Sequence, residues 1–193
     1  METLAVFQGI SRIVWFIPPI RQYKNEYFMF FLLLTIGDLI TTFLRLVVHI
    51  SSNAPYVIVA FLLVMSLQKK EDLKRFYLLE LLITAITLII VLIENDRMLE
   101  IYIIGFLQFI ILYYILQHFF RNNIAKQTLN LFYVVLVFYQ ILTVIKFLNI
   151  LSMNYSGYFY VQITTIFQIL IGLFFSFFRP DNPKICFKLT SKD

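Results

Sequence analysis

Two long apolar runs lie near the N-terminus, at residues 3–20 and 27–47, and each carries a charge near its middle. They are joined by the polar segment 21–26. If both runs cross a bilayer as helices, Arg12 lies roughly 13 Å and Asp38 roughly 18 Å from this segment. The two charges therefore reach similar depths, where an unpaired charge costs at least about 2.5 kcal/mol. We predict that Arg12 and Asp38 form an ion pair near the middle of the membrane.

The remaining sequence continues the same pattern of apolar blocks of about twenty residues between short polar breaks. The chain is 61% hydrophobic and 14% charged, whereas soluble domains are about half apolar and about a quarter charged. We expect an all-α polytopic membrane protein: a single domain, residues 1–193, without a soluble domain. The predicted transmembrane helices are the seven spans 3–20, 27–47, 52–68, 76–93, 98–119, 129–150 and 158–178. The first has no basic region before it and no small-residue cleavage site, so we treat it as a retained helix.

The distribution of Lys and Arg predicts the orientation of these spans. With seven spans, about twelve basic residues lie on the side of the C-terminus and two, Arg45 and Arg97, on the other. By the positive-inside rule the N-terminus is outside and the C-terminus inside. A bacterial inner membrane is the expected location. The basic inner rim is an ordinary topology determinant, and anionic lipid or a protein partner could also bind there. Because these charges lie in loops between helices, they do not indicate nucleic-acid binding.

Polar residues recur on one face of six of the seven spans, which predicts a polar interior. One interpretation is a binding site for a small polar solute near the midplane. The alternative is hydrogen bonding between helices, at about 0.6 kcal/mol per bond in one measured system. We expect Lys146, near the outer face, to snorkel to the outer surface, although it remains a secondary candidate for the site. Glu80 lies nearer the inner face, where it could snorkel or pair with Lys69, Lys74 or Arg75. The main candidates for the site are Arg12, Asp38, Gln108, Gln140 and Gln168. The secondary candidates are Gln8, Thr42, Glu80 and Lys146.

Catalytic and metal-binding groups are sparse in this sequence. His49 and His118 are predicted near opposite membrane surfaces, and Cys186 is the single cysteine. No Gly-rich phosphate loop or clustered metal-ligand spacing is present. We therefore expect no enzymatic activity, no cofactor and no metal.

Residues 16–24 read Phe-Ile-Pro-Pro-Ile-Arg-Gln-Tyr-Lys at the predicted inner end of the first helix. This segment resembles the PQ-loop motif of the SWEET and cystinosin-like transporters, with Pro19 at the position where that family has glutamine. The resemblance implies seven helices in a 3+1+3 arrangement, with the N-terminus outside. A weak internal repeat, in which Gly9 aligns with Gly105 and Asp38 with Gln140, agrees with two three-helix halves. Pro18 and Pro19 are candidate hinge residues.

Three functions remain open at this point. A carrier for a small polar solute requires a water-accessible cavity that reaches Arg12 and Asp38. A signal-sensing membrane module requires a pocket open only to the outside. A non-catalytic accessory or structural subunit of a larger membrane complex requires a filled interior. We expect the carrier.

Overall fold

The computed structural model describes residues 2–47, 53–68, 70–94, 96–124, 127–152 and 157–188. Its helices are α1 Glu2–Trp15, α2 Ile17–Arg21, α3 Phe28–Val47, α4 Ala54–Leu67, α5 Lys70–Glu94, α6 Arg97–Phe119, α7 Leu131–Leu151 and α8 Gly157–Phe177. A π-helical turn, Phe120–Ile124, follows α6, and a 3-10 turn, Pro183–Ile185, precedes the second strand. The strands β1 Thr128–Asn130 and β2 Cys186–Lys188 pair antiparallel. The all-α prediction is confirmed, with seven helices of 14 or more residues in the described part of the chain.

Two helix boundaries differ from those predicted by hydropathy. The first apolar run is divided at Phe16 into α1 and α2, because Pro18 and Pro19 have no N–H to donate to the preceding turn. The fourth run begins at Lys70 rather than at residue 76. Charged residues are good helix formers but are not apolar, so a hydropathy window starts too late there.

Six longer helices and the short α2 form a closed ring. Around it α1 packs on α8, α8 on α7, α7 on α6, α6 on α4 and α4 on α3, while α2 completes the circle by contacting both α3 and α8. α1 and α3 touch only sparsely along their own lengths. Within the described residues, α5 packs mainly on α4, outside the ring. The space inside the ring is therefore bounded by helices from both halves of the chain.

Four chain segments meet at one end of the ring, which we call the basic end. The Tyr27 hydroxyl and His118 Nδ1 are 3.0 Å apart, and His118 Nε2 lies 3.0 Å from the Leu67 carbonyl. The Tyr133 hydroxyl donates to the Glu26 carboxylate at 3.0 Å. These bonds join the start of α3, the ends of α4 and α6, and the start of α7. The described basic residues in loops and chain ends here are Arg21, Lys24, Arg121, Arg179, Lys184 and Lys188.

At the opposite end of the ring, the starts of α4 and α6 meet. The backbone N–H of Asn53 donates to Glu100 Oε2 at 2.8 Å. Consecutive long helices therefore run in alternating directions, as the predicted loops require. The predicted loop residues Lys69, Lys126 and Lys192 and the predicted outer residue His49 lie outside the described residues.

The outer surface of the ring is strongly apolar. Two helical segments, Arg97–Ile124 and Leu131–Leu151, are long and apolar enough to cross a membrane, and four other helices contain shorter apolar stretches. On α5 the exposed side chains include Leu78, Leu79, Leu81, Leu82, Ile83, Ile86, Ile89, Ile90 and Ile93. Soluble monomers rarely expose contiguous apolar areas of this extent.

Candidate functional site

A layer of packed aromatic rings fills the ring of helices toward the basic end. Phe175 lies at its centre, with ring centroids 4.8 Å from Phe31 and 5.1 Å from Phe132. Tyr27 extends the layer, 5.4 Å from Phe132. All four side chains are at most 1% exposed. We call these four residues the aromatic layer.

A cavity of about 270 Å³, lined by both apolar and polar side chains, lies inside the ring, next to the aromatic layer. Every helix of the ring except the short α2 contributes lining residues, and the described part of α5 contributes none. Trp15 separates the cavity from the aromatic layer. Its ring is 5.0 Å from Tyr139, which also lines the cavity, and 6.5 Å from Phe175. The cavity therefore has an aromatic wall on the side that faces the basic end.

Arg12 and Asp38 form the predicted pair and line this cavity together. Arg12 Nε lies 3.4 Å from Asp38 Oδ2, and the two side chains are 48% and 47% exposed. The pair therefore lines the cavity and is not enclosed in protein. A half-exposed pair contributes little to stability, typically about 0.2–1 kcal/mol.

Lys146 and Gln168 also line the cavity. The ammonium group of Lys146 makes no hydrogen bond or ion pair with the described residues. Asp38, which pairs with Arg12, also acts on Lys146 electrostatically, although Asp38 and Lys146 form no ion pair. Lys146 thus belongs to the cavity, whereas we expected it to snorkel to the outer surface.

Gln108 and Gln140 are hydrogen-bonded to each other between α6 and α7. Gln140 Nε2 donates to Gln108 Oε1 at 2.8 Å and to the Gln108 carbonyl at 3.0 Å. Gln108 lines the cavity, but Gln140 is 2% exposed and lies behind it. Gln140 therefore positions Gln108 and does not face the cavity.

The remaining predicted polar residues lie away from the cavity. Gln8 is exposed, Thr42 is half-buried, and neither is among the residues that line it. Glu80 lies on α5, outside the ring, where it accepts a hydrogen bond from Gln68 Nε2 at 2.5 Å. This bond joins α5 to the end of α4, so the Glu80 side chain has a structural partner.

The predicted hinge prolines are both buried, and the chain replaces the hydrogen bond that Pro19 removes. In a continuous helix the N–H of residue 19 would donate to the Trp15 carbonyl. Pro19 cannot, and the hydroxyl of Thr35 donates to that carbonyl instead, at 2.7 Å. A side chain of α3 therefore supplies a donor at the break beside the cavity.

Gln22 is a buried residue that the sequence did not single out. It is 0% exposed, and its Nε2 donates to the carbonyls of Phe175 at 3.1 Å and Phe178 at 2.8 Å. The final carbonyls of a helix lack partners within the helix, and Pro180 ends the continuation of α8 by having no N–H. A helix terminated by proline at a buried end needs donors from elsewhere, which is the signal that would have indicated such a residue.

Two close helix contacts near the cavity have a glycine at the point of closest approach, where a larger residue would overlap its neighbour. A Cβ atom at Gly37 would lie 2.6 Å from Val59 Cγ1, where α3 packs on α4. At Gly172 a Cβ would lie 2.9 Å from Val14 Cγ1 and 3.2 Å from Trp15 Nε1. Small residues are typical of close helix packing in membranes.

Comparison with known proteins adds no relative, since no protein-family model, curated protein or solved structure matches this chain significantly.

Proposed function

We propose that this protein is an integral membrane carrier for a small polar solute, which binds in the cavity beside Arg12 and Asp38. The observation that carries the proposal is an accessible cavity inside a closed ring of helices, with a charged pair in its wall. In a bilayer, ionisable side chains that face an interior cavity typically mark solute or ion pathways.

The proposed membrane arrangement has seven spans, with α1 and α2 together as the first. The apolar outer surface favours contact with lipid. The basic end would face the cytoplasm, since loops rich in Lys and Arg remain on that side. The PQ-loop-like segment at residues 16–24 is consistent with this orientation.

The cavity favours a carrier over an accessory subunit, for which we expected a filled interior. In the proposed orientation the aromatic layer closes the cytoplasmic side, so this structure would represent a state open toward the outside. A carrier must open that layer during its cycle. A sensor would keep it closed, and this closed layer makes a signal-receiving module the second candidate.

The test is cysteine accessibility in a Cys186→Ser background. Asp38→Cys and Thr143→Cys each place a thiol in the cavity wall, and the second variant keeps the charged pair intact. Thr41→Cys on α3 is the matched control, because Thr41 is 4% exposed and does not line the cavity. A membrane-impermeant thiol reagent is applied to whole cells and to inside-out vesicles.

A carrier predicts labelling of both cavity positions from the outside, slower labelling from the inside, and no labelling of the control. Labelling from the outside alone would instead favour the sensor. If neither cavity position is labelled from either side, the cavity is closed and the carrier proposal is wrong.

A further inference from the structure

The charged residues of the cavity wall are unequal in number. Among the described residues that line the cavity, Arg12 and Lys146 are cations and Asp38 is the one anion. At neutral pH these three groups carry one net positive charge. A solute of the opposite charge would balance it.

Lys146 is the group left without a partner. Lys146 makes no hydrogen bond or ion pair with any described side chain. The one carboxylate among the described cavity residues, that of Asp38, is paired with Arg12 at 3.4 Å. A lone ammonium group within the membrane is costly, and such groups are usually paired or hydrated. An anionic solute in the cavity would supply the missing counter-charge and accept hydrogen bonds from this ammonium group.

Arg12 has donors available for the same solute. Its contact with Asp38 uses Nε, and a guanidinium group carries four further N–H donors on its two terminal nitrogens. Among the described residues, no hydrogen bond uses them. Arginine binds carboxylates through two parallel N–H groups, which gives this contact both strength and direction.

The rest of the wall limits the body of the solute. A volume of about 270 Å³ is at the lower end of the range for ligand pockets. Trp15 and Tyr139 offer apolar ring surface, and Gln108 and Gln168 offer neutral hydrogen bonds. A second charged group on the solute would find no second unpaired partner among these residues.

We propose, on the basis of the carrier function above, that the solute is a small organic monoanion whose carboxylate binds between Arg12 and Lys146. Its less polar part lies against Trp15. Neutral solutes of the same shape bind more weakly, because they leave Lys146 without a counter-charge.

Trp15 provides the assay, because it is the single tryptophan of the chain and lines the cavity. Its fluorescence is measured on the full-length protein in nanodiscs during titration with acid–amide pairs of matched shape. The pairs are acetate with acetamide, butyrate with butyramide, and benzoate with benzamide. Acrylamide quenching of Trp15 is measured in parallel, because it reports solvent access to the cavity independently of binding.

We expect at least one carboxylate to bind at least about tenfold more tightly than its amide, the scale of one charge-assisted hydrogen bond. Lys146→Gln should remove this preference and Lys146→Arg should retain it. Lys184→Gln is the control, since it removes an exposed positive charge at the basic end, away from the cavity. Lys146 makes no hydrogen bond or ion pair with the described residues, so these substitutions remove no contact that stabilises the fold.

The outcomes separate this inference from the function on which it rests. Amides that bind as tightly as carboxylates, or a preference that survives Lys146→Gln, would overturn the anion proposal and leave a polar-solute carrier in place. Binding by none of the carboxylates, with normal acrylamide quenching, would also overturn the anion proposal alone. If acrylamide does not quench Trp15, the cavity is inaccessible and both proposals are wrong.

Discussion

Replacing Gln22 with leucine should destabilise the protein, because it removes two buried hydrogen bonds while nearly preserving side-chain volume. Gln22 is fully buried and donates to two carbonyls at the end of α8, those of Phe175 and Phe178. Leucine is close to glutamine in size, so the main change is the loss of two hydrogen bonds. It also leaves two carbonyl oxygens without these donors in an apolar environment.

The magnitude follows from these two bonds. A buried polar group that loses its partner costs about 1–3 kcal/mol. The two carbonyls do not lose equally, since the bond at 2.8 Å to Phe178 is shorter than the bond at 3.1 Å to Phe175. Leucine also removes Gln22 Oε1, a buried acceptor without a partner among the described residues, which offsets part of this loss. We therefore expect Gln22→Leu to lower the free energy of unfolding by about 1–3 kcal/mol. Gln22→Glu should lower it at least as much, because an ionised carboxylate cannot donate and would face two carbonyl oxygens.

Reversible unfolding in mixed detergent micelles, followed by circular dichroism, measures this difference. Gln117→Leu is the matched control, since Gln117 is an exposed glutamine near the same end of the bundle and makes no hydrogen bond with described side chains. The reasoning is refuted if Gln22→Leu and Gln117→Leu differ by less than about 0.5 kcal/mol, the usual scale of surface substitutions.

Two further predictions concern helix packing around the cavity. Gly37→Ala should destabilise the protein by about 1–3 kcal/mol, because the added methyl group would overlap Val59. Gly9→Ala should be neutral or slightly stabilising, because a Cβ there meets nothing within 4 Å; equal effects in thermal unfolding would contradict this account. A double-mutant cycle of Gln108→Leu and Gln140→Leu should give a coupling energy of about 0.6–1.7 kcal/mol, the range measured for hydrogen bonds between membrane helices, and a coupling near zero would mean that the amide pair does not form.

Hydropathy and charge depth predicted a large part of this structure. The seven apolar runs correspond to the helices, and the depth argument for Arg12 and Asp38 placed two distant charges in contact. Both predictions rest on properties of single helices, namely their length and the position of a charge along them. The energy of a charge in hydrocarbon is large enough to act as a strong constraint on the fold.

The packing of the helices on one another was less accessible from the sequence. Polar stripes on six spans pointed to a polar interior but did not distinguish Gln108, which faces the cavity, from Gln140 behind it. A rotation of a helix by one residue interchanges such positions. Glu80 was misleading because the polar face of its helix resembles those of the other helices, although α5 lies outside the ring. Gln22 was missed because its partners are main-chain carbonyls; Pro180 indicates that the end of α8 needs a donor, but not which residue supplies it.

The ring of helices also has a consequence for the order in which the protein can be assembled. The main partner of α1 is α8, and the hydrogen bonds of Gln22 join residues 153 and 156 positions apart in the chain. In the proposed membrane arrangement, α1 would therefore lack its main partner until the last helix has been made. Asp38 lies on the next long helix and is synthesised much earlier, so it can pair with Arg12 at that stage. In that arrangement the charged pair would also lower the cost of inserting the first hairpin, and we expect its removal to reduce membrane insertion even in a chain that ends after α3.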